Sequence, residues 1–178
     1  LYNGDREQIG KTELTQGTAS VTIPEQGFDP GTFYIQVKTN AMTNGNWSGA
    51  EQYTLTADFT PTDSTYESEP NDSTSRADVM LPNTPVSGKL SDESDVDYYK
   101  VTLDSAAQFS LCLEHALPDD LSSSGTPWTV TCYPFDEKTG TLREDKAVTL
   151  DAALGKTKTE SETVLVRGGT YYVEVRHK

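Results

Sequence analysis

Apolar and polar residues alternate with a period of two along most of this chain. TFYIQVK (32–38) puts Phe33, Ile35 and Val37 on one side and Tyr34, Gln36 and Lys38 on the other. EQYTLTADF (51–59) separates Tyr53, Leu55, Ala57 and Phe59 from Gln52, Thr54, Thr56 and Asp58. DYYKVTLD (97–104) sets Tyr99, Val101 and Leu103 against Tyr98, Lys100 and Thr102, and TYYVEVR (170–176) sets Tyr171, Val173 and Val175 against Tyr172, Glu174 and Arg176. Successive side chains of a strand point to opposite faces, so the pattern predicts half-buried antiparallel strands. Gly, Pro, Asn and Asp gather in the gaps between them. Helical periodicity is weak, and one short helix is expected near TSRADVML (74–81), capped by Thr74 or Ser75. The expected fold is all-β, arranged as β-sandwiches.

The pattern also repeats. PGTFYIQVKT (30–39) echoes GGTYYVEVRH (168–177), and LYNGDREQIGKTELTQ (1–16) echoes CYPFDEKTGTLREDKA (132–147). Residues 1–60 are therefore expected to be the C-terminal half of a first module, and 67–178 a second module lacking its last strand. The Pro, Thr, Ser and Asp content around 61–66 reads as a linker. No strand like AEQYTLTADF follows YYVEVRHK, and the first unit has no counterpart of SDVDYYKVTL. The expectation is an internal piece of a longer chain, starting in one repeat and stopping in another. Strands donated by a neighbouring copy would cover the open sheet edges, which makes self-association a candidate property.

Charge narrows the partners. Among 178 residues, 28 are acidic and 14 basic, a formal charge of −14. Such a surface repels nucleic acid and anionic membrane, and suits a secreted protein or a binder of cations. With 34% hydrophobic residues, 9 Tyr, 5 Phe and 2 Trp, a core can form, though a thin one. No apolar run of about 18 residues occurs, so no spanning helix is expected, and Leu1 opens directly onto a polar stretch. The two cysteines, Cys112 and Cys132, suit one disulfide in an oxidising compartment, but their alternation puts one toward water and the other toward the core. A hydrolytic triad would have only His115 or His177 to draw on, paired carboxylates are accounted for by linker and calcium, and no nucleophile, zinc, phosphate-loop or dinucleotide motif is present. The chain is read as non-catalytic.

The candidate chemistry lies in YESEPNDSTSRAD (66–78). Two readings fit it: a solvated acidic linker, and a ligand set for a hard cation. Calcium takes about six to eight oxygens, several from carboxylates. Glu67, Glu69 and Asn71 have the i, i+2, i+4 spacing that shares one side of an extended segment, and Asp72 can turn in after them. A second acidic group, Asp92, Glu93, Asp95 and Asp97, stands just before a strand.

Three motifs in order, ESEPNDS, VSGKLSDESDVDYYKVTL and GGTYYVEV, resemble the bacterial pre-peptidase C-terminal domain and the related collagen-binding domain of clostridial collagenases. The resemblance covers 67–178, and the second half of the pattern again over 1–59. It implies a jelly-roll-like β-sandwich, non-catalytic, flanking secreted or surface proteins as a spacer, accessory or adhesion module. It implies calcium held by Glu67, Glu69, Asn71 and Asp72, with Asp97 and the carbonyl of Lys89 from the sandwich. A further aspartate of that pattern falls on Ser94 here, leaving Asp95 or Glu93 to substitute. Tyr34, Tyr98 and Tyr172 are expected on polar strand faces, where aromatics can bind extended polymers such as collagen or polysaccharide. The resemblance favours Tyr172, and packing against cross-strand neighbours is the alternative. Trp47, in NWSGAEQY (46–53), is expected to pack, and Asn46 and Asn71 open formal glycosylation sequons.

Overall fold

The structure is a computed structural model, described for residues 1–15, 18–38, 52–61, 65–115, 128–152 and 156–178. The expectations for Trp47 and the Asn46 sequon lie outside the described residues. The fold is all-β: the described residues form ten strands and one short 3-10 turn, with no α-helix among them. The strands are β1 (Asp78–Val79), β2 (Val96–Leu103), β3 (Ala107–Phe109), β4 (Cys112–Glu114), β5 (Trp128–Asp136), β6 (Thr141–Leu142), β7 (Val148–Asp151), β8 (Lys158–Glu160), β9 (Val164–Val166) and β10 (Gly169–His177).

The chain divides into two compact units, Leu1–Ile23 with Pro30–Ser64, and Pro24–Asp29 with Thr65–Lys178. All ten strands belong to the second. Its main sheet has the order β1-β2-β10-β5-β6, and β7 also pairs with β5. Every pairing is antiparallel except β1 with β2. Two shorter ladders, β3 with β9 and β4 with β8, accompany it.

β2 and β10 form because valine and tyrosine suit a pleated, packed surface. In β2 the pattern shows directly, with Asp97, Tyr99 and Val101 buried and the residues between them half-buried. β10 departs from it. Four consecutive residues, Tyr171 to Glu174, are buried, because β10 is flanked on both edges and covered on both faces. The core face gathers Tyr99, Val101, Val130, Cys132, Leu150, Tyr171 and Val173 with Leu111, and Phe109, Leu113 and Val166 of the shorter ladders pack against it. Burying such an aliphatic side chain contributes about 1.5–3 kcal/mol. Cys132 is buried and Cys112 exposed, both as free thiols, as the alternation suggested.

The expected helix at 74–81 does not form. Ser73 to Arg76 make one turn, closed by the Arg76 N–H donating to the Ser73 carbonyl at 2.9 Å, and Asp78 and Val79 then join the sheet beside Tyr99 and Lys100. Ser73 and Ser75 share a side-chain hydrogen bond of 3.1 Å instead of capping a helix.

In the first unit the expected strands at 32–38 and 52–59 are not formed by the described residues. Among the described residues, 32–38 is held by the antiparallel bridge of Tyr2 with Tyr34, whose N–H and carbonyl groups exchange two bonds of 2.9 Å. The bridge matches the repeat, since the corresponding residues of the second unit, Tyr133 and Tyr172, are paired antiparallel between β5 and β10.

Candidate metal centre

The acidic stretch is laid down as an extended segment inside the second unit. Glu67 N–H donates to the Ser87 carbonyl at 2.9 Å, and Ser87 N–H donates to the Thr65 carbonyl at 2.9 Å, forming a parallel bridge at Tyr66. The peptide bond Glu69–Pro70 is cis. Extended geometry sends Glu67 and Glu69 to one side and Ser68 to the other, and beyond the proline the Asn71 N–H donates to Glu69 Oε2 at 3.2 Å. The Asn71 carbonyl accepts from the Tyr98 N–H at 3.0 Å, which brings the segment against the start of β2, where Asp97 projects on the core face.

One carboxylate oxygen each from Glu67, Glu69 and Asp97 lies within 4.8 Å of the other two. Glu67 is buried and its carboxylate is held at both oxygens, Oε1 by the Lys89 N–H and Oε2 by the Tyr99 hydroxyl at 2.6 Å. Gly88 lies flush against this carboxylate; a Cβ there would collide with Glu67 Oε2 and the Tyr99 hydroxyl. Asn71 is wholly buried. Its Nδ2 faces Asp78 Oδ2 at 3.4 Å, and a carboxylate only accepts, so Oδ1 is the end turned away. Asp78 Oδ2 also accepts from the Ser68 N–H at 2.8 Å.

Two buried oxygens of this group, Glu69 Oε1 and Asp97 Oδ1, have no hydrogen-bond partner, and neither has Oδ1 of Asn71, whose N–H donates to Glu69 Oε2 at 3.2 Å. Each such acceptor costs about 1–3 kcal/mol if nothing meets it. The electrostatics agree. Burial, and then the neighbouring Glu67, push the Asp97 carboxyl up to about 9. Burial, and then Asp95, push Glu69 up to about 7. Both shifts express burial first, and then the repulsion of neighbouring carboxylates.

Asp72 and Asp95 stand beside the group rather than within it. Partial desolvation and the adjacent Asp95 raise the Asp72 carboxyl, and Asp95 is buried with Oδ2 accepting from the Ser91 N–H. Lys89 joins through its N–H. Ser94 donates twice to Asp92 Oδ1, at 2.7 and 2.6 Å, and Glu93 is exposed, so of the two acids named for its place it is Asp95 that lies at the cluster. Sequence reasoning missed Tyr99, Gly88 and the orienting role of Asp78. Period two places Tyr99 on the face of Asp97 and could have found it; the roles of Gly88 and Asp78 depend on contacts distant in sequence.

The aromatic candidates separate. Tyr172 is only 7% exposed and packs edge-on to Phe135 with ring centroids 5.3 Å apart, which corrects its expected place on a free face. The reason is its central strand, where Lys100 and Tyr133 flank it. Tyr98 is half-buried and its hydroxyl donates to Glu174 Oε2 at 2.5 Å, while Tyr34 is exposed. Both histidines pack near Trp128, with ring centroids 4.5 Å away for His115 and 6.4 Å for His177. No protein-family model matches the chain, and a search of the curated proteins gives no significant match.

Proposed function

We propose that the second unit is a non-catalytic, calcium-binding β-sandwich module of a secreted or cell-surface protein, of the pre-peptidase C-terminal type, serving as a spacer, accessory or adhesion domain. One observation carries the reading. Two buried oxygens without partners, on Glu69 and Asp97, belong to a cluster whose carboxylates repel one another, and a third, Asn71 Oδ1, sits on the residue whose N–H holds Glu69. Two carboxylates and an amide oxygen beside Glu67 form the all-oxygen donor set that calcium takes, with no nitrogen or sulfur to favour zinc. The charges of Asp72 and Asp95 also act on Glu69, and add to the negative field that a cation would neutralise. An ion there would join the 67–72 segment to β2 and stiffen the module's N-terminal edge.

The test is calcium titration by calorimetry on the wild-type chain and on Asp97→Asn. Saturable binding that the substitution removes supports the reading. Equal heats for both proteins, or none for either, sink it.

One further observation favours a second property, assembly with another copy of the chain. Tyr53 and Phe59 are 72% and 79% exposed, and Leu55 is exposed, on a stretch that alternates like a strand and enters no ladder. Pairing of that stretch with a sheet edge of a second copy would cover it. Light scattering on a folded sample across concentration decides this: a monomer throughout removes it.

A further inference from the structure

Six residues well upstream of the acidic stretch, Pro24–Asp29, belong to the same compact unit as the cluster. They are tied at two points to the segment that carries its carboxylates. The Glu69 N–H donates to the Gly27 carbonyl at 2.9 Å, and the Asp29 N–H donates to Ser68 Oγ at 2.8 Å. Between these ties Gly27 lies flat on the segment, and a Cβ there would run into the Glu67 carbonyl oxygen and the Tyr66 ring. The next residue along, Gln26, has a buried Oε1 without a hydrogen-bond partner.

We propose that Pro24–Asp29 is a positioning strap of the cation centre, with Gly27 as its positioning residue, so that seating of the strap and binding of calcium stabilise each other. The proposal rests on the calcium reading above. The backbone at 67–69 sets the directions of the Glu67 and Glu69 side chains, and the strap holds that backbone from the side opposite the cluster. Without an ion, mutual repulsion of the carboxylates works to splay the segment. An element that keeps the ligands in place lowers the cost of binding, and by linkage the ion favours the seated strap by the same factor.

The experiment uses the full chain. Calcium affinity is measured by calorimetry, and hydrogen exchange of the amides of Gln26 to Asp29 is followed with calcium and with chelator. Wild type is expected to bind calcium and to exchange these amides more slowly when loaded. Gly27→Ala is expected to weaken binding by roughly ten- to hundredfold, the usual cost of losing an outer support of a metal site, and to lose the calcium-dependent protection. Ser68→Ala removes one tie without adding bulk and is expected to weaken binding several-fold, which keeps the test open if Gly27→Ala does not fold. Wild-type affinity in Ser68→Ala, with strap exchange indifferent to calcium, overturns the strap and leaves the calcium centre standing. No calcium binding by the wild type overturns both.

Discussion

Asp92 and Asp97 sit five residues apart in one acidic run, and their environments push them in opposite directions. Asp92 is exposed at a turn, and hydrogen bonds from the Ser94 hydroxyl and N–H hold its carboxyl below the usual range. Asp97 is buried at the start of β2 and is pushed up to about 9 by burial and by Glu67. The first is a charge that water and local donors satisfy. The second is a charge that the fold has desolvated and surrounded with more of its own sign. Acidic composition alone cannot tell these apart; burial and the count of donors can.

The comparison can be broken most strongly at Asp97. Its ordinary value is near 3.8, and in the fold burial and then Glu67 push it up to about 9. Between those values the folded state binds more protons than the unfolded one, so this contribution is fully present below the lower value and is lost as pH rises toward the higher. At neutral pH the cost of this burial is on the order of 4 kcal/mol. Asp97→Asn removes the ionisable group and keeps an amide that can donate to Glu67. In chelator it is expected to raise the thermal midpoint by several degrees, and in calcium to lose the ion's stabilisation. A lowered midpoint in chelator would contradict the picture of crowded carboxylates.

The same sign governs pH. In chelator, the wild-type midpoint should fall steadily from mildly acid to mildly alkaline conditions, with Glu69, pushed up from 4.5 to about 7, steepening the fall between those two values and adding no slope above the higher one. Saturating calcium should flatten or reverse the slope, because the ion favours the ionised forms. Parallel slopes with and without calcium would place the ion elsewhere.

A smaller effect is expected at Tyr99→Phe. The substitution keeps the ring in the core and removes the hydroxyl that donates to Glu67 Oε2 at 2.6 Å. Losing that bond should cost about 1–3 kcal/mol with calcium present, read from chemical denaturation, and should weaken calcium binding. The smallest effect belongs to the other side of the comparison: Asp92→Asn should leave the midpoint unchanged within error in both buffers.

Much of this was legible in the chain, and the reasons for the remainder are physical. β2 and β10 were read nearly to the residue, because valine and tyrosine at period two leave little choice of element. The same pattern in the first unit reads identically and ends differently. Ile35 and Val37 are 45% and 53% exposed, whereas their counterparts Val173 and Val175 are buried and half-buried. Alternation says which side chains share a face; burial needs partner strands, which β2 and β5 supply to β10. Tyr172 shows the converse, since a polar-face position became buried once both faces of a central strand were covered. At the cluster, Glu67, Glu69 and Asn71 follow from spacing on one extended segment. Gly27 and Gly88 could not be foreseen, because their roles come from close approach of residues far apart in sequence. The segment with Thr74 or Ser75 as its expected cap looked helical, but it makes one turn at Ser73 to Arg76 and then a short strand, Asp78–Val79, on the edge that β2 offers.

The central claim is that the crowded oxygens of Glu67, Glu69, Asn71 and Asp97 are a calcium centre. Its most direct test is thermal unfolding of the wild-type chain at neutral pH, in chelator and over a series of calcium concentrations, beside a Glu67→Ala, Asp97→Ala variant. The account predicts that the wild-type midpoint climbs with the logarithm of calcium concentration, by about 5–10 °C at a hundredfold excess over the dissociation constant, and that the variant stays flat. A wild-type midpoint that ignores calcium, or a variant that climbs in parallel with it, would contradict the account.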